Sequence, residues 1–286
     1  MQLWLKIKKD YKVILLSVVI WIVGIIWFTP IFWMLTTSLK PTPVAVAETV
    51  PQWIPNPLTF ENYLTVFRPS GGISVANALK NSVVVAIIAT ILGLLVAIPA
   101  AYALARIDFP GHNVVFWSYV AILAFPGIIF LVPNYFIIHS LSLMNTFASL
   151  ILPGLGGTFG VFMLRQYMLG IPKELEEVAF IDGCSRIRFL ITIAIPIIRP
   201  ALVTLALMTF LGSWNGFLWP LLVLTSSDKF TLPIALVRFS QGWGDPYRGI
   251  GPTMAAAFIS VAPVLLIFVL FHKYLLRGIS LGAIGK

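Results

Sequence analysis

Four carboxylates crowd one short stretch of this chain: Glu174, Glu176, Glu177 and Asp182 stand between Ile171 and Gly183, with Arg186 and Arg188 just beyond. Long apolar runs flank the stretch on both sides. It is therefore one of the few places where a chain that folds mostly in lipid can meet a water-soluble partner. Clustered acids at such a place suit charge-assisted hydrogen bonds to that partner. A proton relay is not indicated, because the acids avoid the centres of the apolar runs. His112, His139 and His272 are scattered and Cys184 is the single cysteine, so no metal signature arises and an intrachain disulfide is impossible. No Gly-x-x-x-x-Gly-Lys-Ser/Thr run occurs, so the chain supplies no P-loop of its own. No catalytic set, bound cofactor or metal site is expected, and the chain is not expected to be an enzyme.

Local chemistry says which element holds the acids. Pro172 suits the first turn of a helix, where no amide partner is required. Glu174, Glu176 and Glu177 then fall near the positive helix end, which favours carboxylates. Leu175, Val178 and Ala179 share three- and four-residue spacing and form a narrow apolar face. Gly183 can stop the helix in the left-handed conformation. Asp182 can cap the following segment or pair with a basic neighbour. Two settings fit this compact helix: docking on another protein, or an amphipathic linker resting on lipid headgroups.

The rest of the chain is built for a bilayer. Its 286 residues are 59% hydrophobic and 10% charged, where a soluble domain would be about a quarter charged. Five stretches between charged residues are long enough to cross a bilayer: 13–39, 81–105, 109–164, 200–227 and 249–272. A helix needs roughly 20 apolar residues to cross about 30 Å of hydrocarbon, and 109–164 has room for two. The expected fold is all-α, a polytopic membrane protein with six transmembrane helices and a cytoplasmic coupling helix. The spans are expected near Val13–Leu35, Asn77–Ala101, Val114–Val132, Phe147–Met168, Pro200–Leu222 and Thr253–Phe271. The N-terminal side then collects thirteen Lys and Arg and the opposite side six, which puts both termini in the cytoplasm. The net charge of +9 thus serves orientation and anionic lipid rather than nucleic acid. This divides the chain into a cytoplasmic segment 1–12, a six-helix transmembrane domain 13–271 and a cytoplasmic tail 272–286. The domain carries an extracytoplasmic loop 36–74 and a cytoplasmic coupling loop 170–196. The first apolar run is too long for a signal peptide and lacks a cleavage site, so it is expected to be retained.

Prolines and glycines punctuate the spans. Pro41, Pro43, Pro51, Pro55 and Pro57 oppose continuous helix in the first loop. Thr59 is expected to cap a short helix there, with Glu61 in its first turn and Tyr63 and Phe67 exposed along one side. An uncharged hairpin is expected at Pro133–Thr146. Pro153, Gly154, Gly156 and Gly157 permit a kink in span four, read either as bundle packing or as a broken helix lining a pathway. Thr225–Pro252 is expected as a second external loop bearing Trp243, Asp245, Tyr247 and Arg248.

Glu177-Val-Ala179, Gly183 and Ile193-Ala-Ile-Pro196 closely resemble the cytoplasmic signature of the permease subunits of bacterial binding-protein-dependent ABC importers. That signature is Glu-Ala-Ala, three residues, Gly, nine residues, Ile-x-Leu-Pro; Val178 and Ile195 depart from it and stay apolar. Nearly the whole chain shares the likeness, which points to the maltose-type, carbohydrate-uptake subgroup. Pro57-Leu-Thr-Phe-Glu-Asn-Tyr63, Ser213-Trp-Asn-Gly-Phe-Leu-Trp-Pro220, Thr231-Leu-Pro233 and the tail from Arg277 are similar to that subgroup. Gly216 stands where relatives usually carry an acid, and Gly285-Lys286 reverses the more usual order.

The resemblance implies a mechanism. Two such permeases pair as a heterodimer, two cytoplasmic ATPase subunits bind ATP and Mg, and a solute-binding protein docks outside. Glu174, Glu177, Ala179, Asp182, Gly183 and Pro196 would form the ATPase-coupling site. Trp214 and Asn215 are candidates for the translocation path, although Trp also anchors helices and Asn also binds backbone. The implied setting is the bacterial inner membrane and the implied cargo a sugar or oligosaccharide. A glycerol-phosphate or polyol importer is the nearest alternative, and a membrane scaffold without transport a more distant one. Basic groups facing an open cavity would favour phosphate over a neutral sugar.

Overall fold

The computed structural model describes residues 2–48, 50, 52–68, 72–240 and 249–283, with backbone alone for 2–10, 12 and 272–283. The fold is all-α. Three helices are long and apolar enough to cross a bilayer: Val13–Ser38, Val75–Arg106 and Ile250–Phe271. Three bent helix pairs bring the number to six if each pair is one span. The chain divides into two compact units, 1–75 with 236–262 and 76–235 with 263–286.

In the first unit, helix α1 (Gln2–Ser38) is apolar and exposed on every side from Val13 to Pro30. Only a lipid or protein environment suits such a helix. Its C-terminal end is different. Thr37, Ser38 and Lys40 are buried against two short helices, α2 (Thr42–Ala47) and α3 (Glu61–Phe67). Asn62 Nδ2 donates to the carbonyls of Ser38 (2.8 Å) and Lys40 (2.6 Å), answering oxygens that a helix end leaves unpaired. Lys40 Nζ sits 2.7 Å from Glu48 Oε1. The Thr59 hydroxyl accepts from the Glu61 amide at 3.1 Å, but Phe60 rather than the expected Thr59 occupies the cap position and no side chain caps α3. Tyr63 departs from expectation. It is half-buried and its hydroxyl bonds Ser38 Oγ at 2.7 Å, so Leu64 joins Phe67 as the exposed large apolar side chains of α3.

The second unit carries the remaining helices, apart from the helical residues 236–240 and 250–262, which belong to the first. Helix α4 (Val75–Arg106) enters it and runs through Pro99. After the left-handed Gly111 come α5 (His112–Leu123), a 3-10 turn Gly127–Phe130 and α6 (Leu131–Ser140). The expected third span Val114–Val132 is thus broken, with the two halves bent by 103°. The expected hairpin Pro133–Thr146 is helical as far as Ser140. The reason is positional: Pro126 and Gly127 interrupt the ladder, whereas Pro133 falls in a first turn that needs no amide from it.

Helices α7 (Phe147–Ile151) and α8 (Thr158–Leu169) meet at 42° across the glycine cluster, with Gly157 at φ +41°. Thr146 caps α7 by accepting from the Ser149 amide. Gly160 permits close packing, since a Cβ there would come 3.0 Å from Leu205 Cδ2 and 3.6 Å from Ala97 Cβ.

Helices α9 (Lys173–Ile181), α10 (Arg186–Phe189) and α11 (Ile195–Ile197) precede α12 (Arg199–Trp214). The expected fifth span Pro200–Leu222 stops at Trp214 and resumes as α13 (Leu218–Val223), with Pro220 again in a first turn. The expected loop Thr225–Pro252 contains α14 (Leu232–Ser240), while Trp243, Asp245, Tyr247 and Arg248 lie outside the described residues. Helix α15 (Ile250–Ala283) contains the expected sixth span and continues into 272–283. Gly285 and Lys286 also lie outside the described residues.

Candidate functional site

The acidic segment folds as its composition dictates. Helix α9 starts after Pro172 and ends in a left-handed Gly183 at φ +80°. Two backbone bonds close the end: Gly183 N–H donates to Phe180 O (3.0 Å) and Cys184 N–H to Ala179 O (2.9 Å). This is a Schellman cap, which satisfies two carbonyls and needs the positive φ that glycine adopts freely. Ser185 caps α10 by accepting from the Arg188 amide at 3.3 Å. The capping role open to Asp182 therefore belongs to Ser185, and Asp182 is exposed. A π-helical turn, Leu190–Ala194, precedes Pro196, which cannot donate to the helical ladder. Segment Arg186–Ile197 then meets α12 at 82°.

The faces of α9 separate by chemistry. Glu174, Glu177, Leu175, Val178 and Ile181 are exposed, whereas Ala179 is buried. The apolar face expected of Leu175, Val178 and Ala179 is consequently split, with Ala179 inward and the two larger side chains outward. Glu176 also turns inward. Its carboxylate lies 3.3 Å from Arg106 Nη1 and accepts from the Tyr102 hydroxyl at 3.0 Å. Helical spacing from Ala179 could have flagged Glu176, but nothing in the sequence pairs it with α4, some seventy positions away. Arg106 additionally donates to the carbonyls of Met168 and Ile171 at the end of α8. Arg165 fastens the same helices from the other direction: its Nε donates to Leu104 O at 2.9 Å while its guanidinium lies 3.7 Å over the Phe116 ring.

The exposed part of the segment thus combines two acids, Glu174 and Glu177, with bare Leu175, Val178 and Ile181 and the cations Arg186 and Arg188. Asp182, Gly183 and Pro196 are exposed beside them. Such a surface can take a partner's basic groups and fill an apolar cleft at once. Among the described residues no group of three or more potential metal ligands occurs.

A second feature lies within the same unit. A cavity of about 530 Å³ opens where the breaks at 124–126 and 155–157 face the middles of α4 and α12. Gly93, Ala97, Phe125, Gly157, Met208 and Thr209 are among its lining residues, and none of the described lining residues is charged. The kink in span four therefore opens onto space. Trp214 and Asn215 do not line this cavity: Trp214 is 1% exposed and stacked on Phe210 (5.9 Å, 13°), and Asn215 is exposed at the break after α12.

Known proteins resemble this chain in sequence and in fold. Residues 89–281 match the family described as "Binding-protein-dependent transport system inner membrane component". The chain is 36% identical over 230 residues to the arabinooligosaccharides transport system permease protein of Halalkalibacterium halodurans, covering 80% of this chain and 81% of that one. It is 32% identical over 280 residues to the trehalose/maltose transport system permease protein of Thermococcus litoralis, covering 97% and 98%. Its fold is similar to a chain of a bacterial ABC transporter involved in import of the acidic polysaccharide alginate, at TM-score 0.82 and 20% identity over 91% of this chain and 95% of that one. With a family match over residues 89–281, more than half its length, on an all-α fold with helices apolar enough to cross a bilayer, this chain belongs to the family of binding-protein-dependent transport system inner membrane components.

Proposed function

We propose that this chain is the permease subunit of an ATP-driven importer for an uncharged sugar or oligosaccharide. The observation that carries the choice of solute is the cavity between the broken helices, which has room for a small polyol or sugar and whose described lining is mainly apolar, with two threonines and no charged residue. A phosphorylated solute would require cations at that surface, so the glycerol-phosphate reading is disfavoured. The names of similar permeases, which carry arabinooligosaccharides or trehalose and maltose, support the same class.

In this reading the chain crosses the bilayer six times, with 186–197 kept on the cytoplasmic side and the fifth crossing starting at α12, and both termini face the cytoplasm. A second homologous permease completes the pathway, and two ATPase subunits bind ATP and Mg. The exposed face of α9 seats in an ATPase cleft: Glu174 and Glu177 meet basic groups, Ala179 keeps α9 close to the bundle, and Asp182, Gly183 and Pro196 shape the bend. Closure of the ATPase dimer displaces α9 and opens the cavity toward an extracytoplasmic solute-binding protein. Trp214 and Asn215 flank the path at the end of α12. The decisive experiment measures binding of the matching solute receptor to a panel of neutral oligosaccharides, polyols and phosphorylated polyols. Tight binding confined to neutral saccharides is expected, and selective capture of a phosphorylated member would overturn the assignment.

A further inference from the structure

Three elements converge on Arg106, the last residue of α4. Its Nη2 donates to the carbonyls of Met168 (2.6 Å) and Ile171, while its Nη1 lies 3.3 Å from Glu176 Oε2. One turn earlier on α4, the Tyr102 hydroxyl donates to Glu176 Oε1 at 3.0 Å. Both carboxylate oxygens are therefore gripped from one helix face, at the i, i+4 spacing that brings two side chains together. The Arg106 and Glu176 side chains are 4% and 12% exposed. Charge-assisted bonds in such a setting are stronger than the same bonds in water. Ala179, three residues on along the same face of α9, is buried and keeps that face close to its neighbours. Phe189 is fully buried between the Tyr102 ring (6.4 Å) and the Phe180 ring (6.0 Å). Helix α9 cannot slide or roll against α4 without breaking this grip.

We propose that Glu176 is the positioning residue through which displacement of α9 is carried into α4, with Arg106 and Tyr102 as its two anchors. The proposal rests on the reading of α9 as the ATPase-facing helix. The acids of that helix then have separate roles, with Glu174 and Glu177 facing the partner and Glu176 facing the bundle.

The test uses the intact permease–ATPase assembly in nanodiscs. In a Cys184→Ser background, spin labels are placed at Lys173→Cys on α9 and Leu95→Cys on α4, both exposed positions. Pulsed dipolar measurements then read their separation with no nucleotide and after trapping with ATP and vanadate. The unaltered linkage is expected to give one narrow distribution whose centre does not change on trapping, because the two helices travel together. Glu176→Gln is expected to let the centre shift on trapping while ATPase recovery with the permease stays unchanged. Tyr102→Phe, which removes one anchor, is expected to give a smaller shift of the same sign. A Glu176→Gln distribution that ignores nucleotide, whether narrow or broadened, overturns the proposal. Gly183→Arg separates the two levels. If that variant keeps its ATPase, the reading of α9 fails. If it loses the ATPase while Glu176→Gln behaves like its parent, the transmission role of Glu176 alone fails.

Discussion

Around Asn62 the polar groups turn toward one another, whereas on α9 most of them turn away. The 39–68 excursion buries Lys40 against Glu48 and Asn62 against two main-chain oxygens, and Tyr63 bonds Ser38. In 170–198 only Glu176 is drawn in, while Glu174, Glu177 and Asp182 remain in the open. Both excursions must end an apolar helix without stranding its last carbonyls, and both use one ion pair beside a side chain that reaches those oxygens. What differs is the remainder. The first region pairs Lys40, Glu48, Asn62 and Tyr63 internally, with only the buried Thr37 hydroxyl and one Glu48 oxygen lacking a hydrogen bond among its described residues, and presents mainly apolar atoms such as Leu64 and Phe67. The second keeps charge available for something else. A self-satisfied knot sets geometry, and an unsatisfied surface recruits a partner.

The sharpest way to break this comparison is at Gly183, where the second region exposes its bend. A Cβ at Gly183 would meet no atom within 4 Å, so crowding is not the issue. The cost of Gly183→Ala is the left-handed backbone, roughly 1–2 kcal/mol. Gly183→Arg adds a long cation to the same exposed face. Membrane insertion should be unchanged in both. Arginine should abolish ATPase recovery and stimulated ATP hydrolysis in proteoliposomes, and alanine should reduce them only in part. Equal losses in the two variants would assign the effect to the backbone and leave the recruiting surface without support.

The knot makes the opposite kind of prediction. Gly251 lies in the first turn of α15, where alanine would ordinarily stabilise a helix by about 0.5–1 kcal/mol. Here its Cβ would land 2.7 Å from both amide atoms of Asn62, whose Nδ2 is committed to two carbonyls. Displacing that amide leaves buried oxygens unpaired, so Gly251→Ala should destabilise by roughly 1–3 kcal/mol. Against an Asn62→Ala background the same change should cost far less, because the obstacle has gone. Thermal unfolding in detergent across the four proteins measures the coupling, and additive losses would remove Asn62 from the centre of the knot.

These two regions also mark how far the sequence can be read. The acidic helix is legible to its last residue, because Gly183, the acids and Pro172 are local signals that act within one turn. Which acid turns inward is not, since Tyr102 and Arg106 reach Glu176 only after α4 and α9 have packed. Long charge-free stretches locate the apolar mass correctly but hide its breaks. Pro126 and the Asn215-Gly216 pair interrupt helices within runs where hydropathy stays uniformly high. Pro133 misleads in the reverse sense, because a proline in a first turn leaves the helix intact. Helical spacing alone makes Tyr63 look exposed, since nothing local reveals that Ser38 stands opposite.

The smallest expected effect concerns the ion pair that closes the knot. The hydrogen bond from Lys40 holds the Glu48 carboxyl below its ordinary value of 4.5, and the Gln52 amide and the ammonium charge act in the same direction against a raising effect of burial. A carboxyl depressed on folding contributes stability that is fully present above its unfolded value and lost as pH falls through the lower folded one. The difference in melting temperature between the parent and Glu48→Gln should therefore be constant near neutrality and shrink once the pH drops below about 4.5. Its size should be modest, because the carboxylate lies nearer the surface than the ammonium, at 10% against 1% side-chain exposure. Raising the ionic strength should narrow the difference only slightly if the ammonium is as enclosed as it stands here. A difference that persists unchanged into acid would mean that Glu48 acts through its shape and its bond to Gln52 rather than its charge. The contrast with the open acids of α9 would then rest on Asn62 alone.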